Sequence, residues 1–425
     1  MRREATCEPR EHLGRRALLK SALAGAAGGC VMNWGGLFEQ AAAAEQAKKS
    51  GKRCILIWLN GGASQFETFD MKVGRPTGGP FREIDTNLPG VKICELMPHM
   101  ARRMDKLTVI RSMHTSEIDH PGGIYLMHTG YRPTANVRFP EFGSIIAKYC
   151  GDESSDLPQF IKISSQGDAG SGFLGPQYHP FSLDQDGKLP PFSTSGLEEA
   201  REARRHGMRD FMESEFARSH SAEPAAMHRE AYERARRLNA VRESFQIDAE
   251  WEKYRERYGD SKLGRRLLMA RCLVESGVAF VEVGQSGYDT HADNFSGHKS
   301  LVPCMDQAWG ALLDDLGERG LLEDTLVVWM GEIGRTPNIN NRQGRDHYVR
   351  CWSTALAGGG MKAGLVYGAS DEDGRDVKDN PVTEADFFAT VYAALGINPA
   401  TENYAGVRPI PLAPFGHKIV RDLLA

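Results

Sequence analysis

The chain has 425 residues, 41% of them hydrophobic and 25% charged, with a formal net charge of -4. That length allows one large α/β domain or two ordinary ones with ample core, and the composition is that of a soluble globular protein. A balance this close to neutral excludes a domain-wide basic surface, and with it nucleic acid as the main partner.

In chain order, the first feature is a targeting segment. Arg15 and Arg16 follow Gly14, Leu18, Leu19 and Lys20 come next, and a small, weakly apolar stretch follows. This order resembles a twin-arginine export signal, with a small-residue cleavage site after Ala43 or Ala44 in "AAAAEQ". The apolar stretch is too short and too rich in Ala and Gly to span a bilayer, and no other stretch approaches that length. The expectation is a signal peptide over 1–44, a periplasmic or secreted product, and one domain over 45–425. Six cysteines follow the signal (Cys54, Cys94, Cys150, Cys272, Cys304 and Cys351), with no C-x-x-C spacing. They read as buried free thiols rather than a disulfide framework or zinc cage.

Short apolar runs predict strands at Cys54–Leu59, Leu107–Arg111, Phe160–Ile163, Ala279–Val283, Leu326–Met330 and about Trp352–Leu356. Most do not alternate, which is the pattern of strands covered on both faces. Helical stretches fall between them at Glu141–Tyr149, Gly264–Glu275, Pro303–Arg319 and Glu384–Leu395. In the last, Thr383 can cap the start and Gly396 can stop the end. The alternation predicts an α/β fold with a largely parallel sheet sandwiched between helices. Residues 195–262 differ: rich in Glu, Arg and Ala, and broken by Pro224, they read as a charged helical insertion with a solvated face. Pro190-Pro191 and Ser164–Gly175 mark loops.

In open α/β sheets ligands sit beyond the carboxyl ends of the strands. After the first strand come Asn60-Gly61-Gly62-Ala63-Ser64 and Asp70. After the second comes "SMHTSEIDHPGG", with His114, Thr115, Ser116, Asp119 and His120. After Ala279–Val283 comes "GQSGYDTHADNFSGH", with Asp289, His291, Asp293 and His298. After Leu326–Met330 comes "GEIGRTPNINNRQGRDHY", with Glu332, Arg335, Arg345, Asp346 and His347. Asp289-x-His291 pairs an oxygen with a nitrogen ligand, and mixed sets of this kind suit zinc, manganese or iron better than calcium. Glu332 and His347 are the residue types that would complete such a set. Arg335 or Arg345 could clamp a phosphate, sulfate or carboxylate. Thr115 and Ser116 are candidate nucleophiles, though such residues are commonly caps. Gly358-Gly359-Gly360 and Asp371–Asp376 read as turns, and His99, His128 and His417, lacking grouped partners in the sequence, as structural.

"GYDTHADNF", "TLVVWMGEIGRTP", "GRDHY" and the early "LNGGASQFETFDMK" together resemble the domain of unknown function 1501 family, over about Lys52 to the C-terminus. That family looks like a branch of the alkaline-phosphatase/sulfatase superfamily, whose better-known members hydrolyse phosphate or sulfate esters with metal ions at the carboxyl edge of a sheet. The resemblance implies an alkaline-phosphatase-like fold. It places Asp289, His291 (or Asp293) and His347 at metal positions. Asn60 stands where the first-strand metal Asp is expected, and Glu332-Ile333 where an Asp-His pair is expected. One metal position thus looks kept and the other altered. His120 falls at the sulfatase nucleophile and Ile124 at the following Arg, so the usual sulfatase mechanism is set aside. The implied protein is an exported hydrolase of small-molecule or polysaccharide esters with a divalent metal, zinc first and manganese, iron or calcium as alternatives. Asp289, His291 and His347 would hold the ion, with Glu332 as further ligand or base. Arg335 would stabilise the anionic transition state, and His120 would act from the opposite strand end as a ligand, a nucleophile or a base for metal-bound water. The alternative is a catalytically inactive module that binds a sulfated or phosphorylated polysaccharide or another anionic ligand.

Overall fold

The computed structural model describes residues 51–165, 167, 169–189, 198–219, 229, 232 and 245–425. The expected export segment, Pro190-Pro191 and Pro224 lie outside these residues, as does part of the expected insertion.

The first strand shows why the apolar runs do not alternate. In β1 (Arg53–Asn60), Ile55, Ile57 and Leu59 enter one hydrophobic core, while Cys54, Leu56 and Trp58 enter another on the opposite face. A strand buried on both sides has no polar face to present. The other strands of this sheet are β2 (Leu107–His114), β3 (Phe160–Ile163), β4 (Phe181–Leu183), β5 (Phe280–Ser286), β6 (Thr325–Met330), β7 (Trp352–Ala357), β8 (Leu365–Tyr367) and β9 (Val382–Thr383). Their order is β8-β2-β7-β6-β1-β5-β3-β4, with β9 also on β2. Every pairing is parallel except those of β7, which runs against β2 and β6. All six expected strands are present. The additional β4, β8 and β9 are two or three residues long, too short to leave a pattern.

Besides a single turn at Pro98–Ala101, the helices of the described residues are α1 (His120–Thr129), α2 (Phe142–Cys150), α3 (Glu199–Ser219), α4 (Asp248–Tyr258), α5 (Lys262–Glu275), α6 (Asn294–Glu318) and α7 (Glu384–Ala394). Residues of α2 and α7 pack on the Leu56 and Trp58 side of the sheet, and residues of α5 and α6 on the Ile55 and Ile57 side. The described parts of the expected insertion, α3 and α4, are helical and charged. Thr383 caps α7 in a reciprocal capping box with Asp386. Gly396, at φ +75°, follows its end.

Two helices depart from expectation. Helix α6 begins at Asn294, not Pro303, and carries that proline inside it. An interior proline costs roughly 3 kcal/mol. The added turns bury Asn294, His298 and Val302, and Asn294 and His298 gain hydrogen bonds to Glu67 and Ser64. Helix α1 was not among the expected helices. The glycines of "HPGG" obscured its boundary signals: Asp119 accepts from Gly122 N at 2.7 Å, Pro121 sits in the first turn, and left-handed Gly130 closes it.

The six cysteines of the described residues are free thiols, with Cys54, Cys94, Cys150 and Cys351 buried. No helix of the described residues is long and apolar enough to cross a membrane.

Candidate metal centre

Strands β1, β2, β5 and β6 end at one edge of the sheet, and the four loops that follow them meet there. His120 opens α1 just past β2, Asp289 and His291 follow β5, and His347 returns on the far side of the loop after β6. One donor atom from each of these four residues lies within 4.8 Å of every other. Asp289 Oδ1 is the hub, 3.2 Å from His120 Nε2, 3.1 Å from His291 Nε2 and 3.4 Å from His347 Nε2.

The outer nitrogen of each imidazole is already occupied. His120 Nδ1 lies 2.7 Å from Glu332 Oε1, His291 Nδ1 2.6 Å from Asp346 Oδ1, and His347 Nδ1 2.8 Å from the carbonyl oxygen of Ile118. A carbonyl only accepts, and ionised carboxylates only accept. Each Nδ1 therefore carries the hydrogen, and in the neutral rings each Nε2 presents a lone pair to the cluster. His291 Nε2 and His347 Nε2 then stand 3.0 Å apart with no proton between them. Three lone pairs and a carboxylate oxygen facing one another repel unless a positive charge joins them.

Burial and neighbouring charge act on three of the four groups. Burial opposes ionisation of Asp289, but Arg335 and then His120 outweigh it and hold the carboxyl at about 2. The Glu332 hydrogen bond raises His120 against the cost of burial. Burial, Arg335 and His120 lower His347. A single shared cation would relieve the facing lone pairs and the carboxylate. Three imidazole nitrogens and one carboxylate oxygen suit zinc, manganese or iron. Ligating histidines also characteristically tie their second nitrogen to a carboxylate or carbonyl, as all three do here. The residues present fit a divalent metal.

The geometry gives two expected residues, Glu332 and Arg335, other places. Glu332 is 1% exposed and does not join the converging set; its Oε1 supports His120 and accepts from Gly61 N at 2.8 Å. His120 stands inside the set, where the ligand role among its three expected ones would place it. Arg335 is fully buried, and its hydrogen bonds go to this chain: Nη2 to Asp289 at 2.9 Å and to Gly61 O, Nε to Gly62 O at 3.1 Å, Nη1 to Arg345 O at 3.1 Å. Buried this way, it orients Asp289 and closes the loop instead of reaching out to a transition state.

The loop after β6 is pinned by a second buried arginine. Arg345 Nη2 meets Glu67 Oε1 at 2.9 Å with both side chains at 0% exposure. Its Nη1 donates to Thr336 O at 3.0 Å and Pro337 O at 2.7 Å. Close backbone approach adds to this. Gly61 and Gly62 sit at φ +103° and +75°, where a Cβ would stand 2.3 Å from Asp289 N and 2.2 Å from Ile333 O.

Other expected candidates lie elsewhere. Ser116 Oγ donates to Glu384 at 2.9 Å and accepts from Arg132 at 3.0 Å. Thr115 is buried. His298 is buried against Ser64 N and Asn294 O, and Asp70 pairs with Lys72 and Ser370. His128, read as lacking partners, has them: it meets Glu282 at 3.0 Å in a buried group completed by Lys162 and Glu141, 2.6 Å apart. Asp346, fixing His291, was not singled out as a supporting residue; its place beside His347 in "GRDHY" was the available signal.

Residues 51–424 match the family described as "Protein of unknown function (DUF1501)". No curated protein matches the chain. Among solved structures it is similar to the lipoteichoic acid synthase LtaP from Listeria monocytogenes, at 12% identity over 87% of this chain and 76% of that one, TM-score 0.38. It is similar to the PsFucS1 sulfatase from Pseudoalteromonas sp., at 13% identity over 84% and 72%, TM-score 0.39. It is also similar to a protein in the alkaline phosphatase superfamily from Vibrio parahaemolyticus, at 13% identity over 84% and 74%, TM-score 0.36. At these scores the chemistry is carried by the residues of this chain.

Proposed function

We propose that this chain, which belongs to the DUF1501 family, is a metal-dependent hydrolase of phosphate or sulfate esters. The observation that supports the metal is the convergence of His120, His291 and His347 Nε2 on Asp289 Oδ1, with every outer nitrogen held by an acceptor. These four residues would hold the ion. When bound, a divalent cation supplies Lewis acidity toward an ester oxygen and makes neighbouring water more acidic. The ester class is the one implied by the sequence resemblance.

The chain's own residues prepare that chemistry. Glu332, Asp346 and the Ile118 carbonyl fix the three rings and keep their Nε2 lone pairs inward. Arg335 keeps Asp289 ionised and aimed at the rings. His120 has both nitrogens engaged and is not the base, and the Ser116 hydroxyl is taken up by Glu384 and Arg132. Water is therefore the nucleophile in this reading.

The test is metal content followed by turnover. The purified protein should hold a divalent metal in stoichiometric amount, and His291→Ala with His347→Ala should lose it. Chromogenic phosphate and sulfate esters then decide between turnover and binding alone. A parent protein that takes up none of zinc, manganese or iron sinks the proposal.

A further inference from the structure

Asn60 and Ser286 are register partners in the last pair of β1 and β5. Trp58, two residues before Asn60, faces the same side of the sheet, and its indole Nε1 donates to Asn60 Oδ1 at 2.7 Å. An indole N–H is a donor only, so the chemistry fixes the amide: Oδ1 inward and Nδ2 outward. Asn60 Nδ2 in turn donates to Ser286 Oγ at 3.1 Å. The serine thereby spends a lone pair on Asn60. Among the described residues, its own proton meets no acceptor.

The three residues step from core to surface. Trp58 is 0% exposed, Asn60 6%, and Ser286 is exposed. Ser286 closes β5, three residues before Asp289 of the His and Asp cluster. Asn60 O accepts from Tyr288 N at 3.1 Å, and the next residue, Gly61, abuts the Asp289 backbone. An aspartate at position 60 would accept from both Trp58 and Ser286 and turn the serine proton inward. The asparagine sends it outward.

We propose that Ser286 is a substrate-binding residue, whose hydroxyl donates to a terminal oxygen of the phosphate or sulfate group beside the metal. The choice of anion rests on the hydrolase reading; the outward-facing donor does not.

The experiment titrates the metal-loaded full chain calorimetrically with inorganic phosphate and with sulfate. Ser286→Ala should weaken binding of the preferred anion about tenfold, the worth of one hydrogen bond to a charged group. Ser286→Thr, which keeps the hydroxyl, should restore it. Metal content and the urea midpoint should match the parent in both variants, which a merely structural role for Ser286 would not permit. Unchanged affinity in Ser286→Ala, or a parent that binds neither anion, overturns the assignment. If the parent hydrolyses esters while Ser286→Ala keeps its affinity, this inference falls and the hydrolase reading stands. If anion binding needs Ser286 but no ester is turned over, the hydrolase reading falls and this one stands.

Discussion

Glu67→Gln tests the claim that buried charge holds the loop carrying His347. Glu67 and Arg345 are both at 0% exposure and meet at 2.9 Å. The two carboxylate oxygens serve separate donors: Oε1 takes Arg345 Nε at 3.2 Å and Nη2 at 2.9 Å, and Oε2 takes Asn294 Nδ2 at 2.9 Å. Glutamine offers one acceptor oxygen, so its amide nitrogen must face either the guanidinium or the asparagine amide, donor against donor. It also leaves the Arg345 charge uncompensated in the interior. Breaking a buried pair in this way costs about 3–5 kcal/mol, a large share of the 5–15 kcal/mol typical of whole domains. Urea unfolding of parent and variant measures the difference. The control is Glu318→Gln, which breaks the Arg257–Glu318 pair at 31% and 63% side-chain exposure. That change should leave the urea midpoint close to the parent's, because an exposed pair is screened by water. A loss below about 1 kcal/mol for Glu67→Gln, with a midpoint as close to the parent's as the control's, would show that water or loop relaxation already screens the pair, and the pinning argument would be wrong.

Four further outcomes are expected. Glu332→Gln and Asp346→Asn should each weaken metal binding by about 10–100-fold without abolishing it, read by competition with a fluorescent chelator; unchanged affinity would remove their supporting role. Gly61→Ala forces a side chain onto the Asp289 backbone at positive φ and should cost more than about 1 kcal/mol, with weaker metal uptake; a neutral result in both would refute the close-approach argument. Asp306 should make stability fall as pH rises. Burial pushes its carboxyl up from 3.8 to about 7, although His99 N and Met100 N donate to it. Between those values the folded chain holds a proton that the unfolded chain has released, so its contribution declines from about pH 4 to about pH 7. Asp306→Asn should remove that slope from urea midpoints measured across the range, and an identical slope in the variant would count against it. Finally, Arg15→Lys with Arg16→Lys should strand a tagged chain in the cytoplasm if the twin-arginine resemblance is functional; fractionation that shows normal export rejects it.

The sheet was legible because burial on both faces leaves short apolar runs, and those runs survive any detail of packing. The strand-end rule then pointed at the four loops that meet at this edge, and Asp289, His291 and His347 were named there from residue type and spacing. What stayed hidden was the division of labour within those loops. Glu332 and Arg335 have the chemistry of ligand and anion clamp, and only geometry across sequence separations of 212 and 46 residues shows them serving His120 and Asp289. Helix α1 was masked by two glycines that are poor helix formers. Helix α6 was foreshortened by Pro303, whose local cost is outweighed by long-range bonds such as Asn294 to Glu67. The His128 group was invisible for the same reason, since its members come from a helix, two strands and a helix cap.

The dispersal of the four donors has a consequence for which metal the proposed site would carry. His120 and Asp289 come from distant parts of the chain, and His347 is locked by a carbonyl 229 residues away. No complete donor set exists until β2, β5 and β6 lie in one sheet, and such long-range pairing completes slowly. Affinity alone ranks competing first-row metals in a fixed order, so the ion actually captured depends on what surrounds the chain when the sheet closes. A chain that folds inside the cell would draw on the metal pool there. Refolding the same chain in a defined metal mixture, against recovery of the protein from its native route, would separate the preference of the donors from the influence of the place where they first meet.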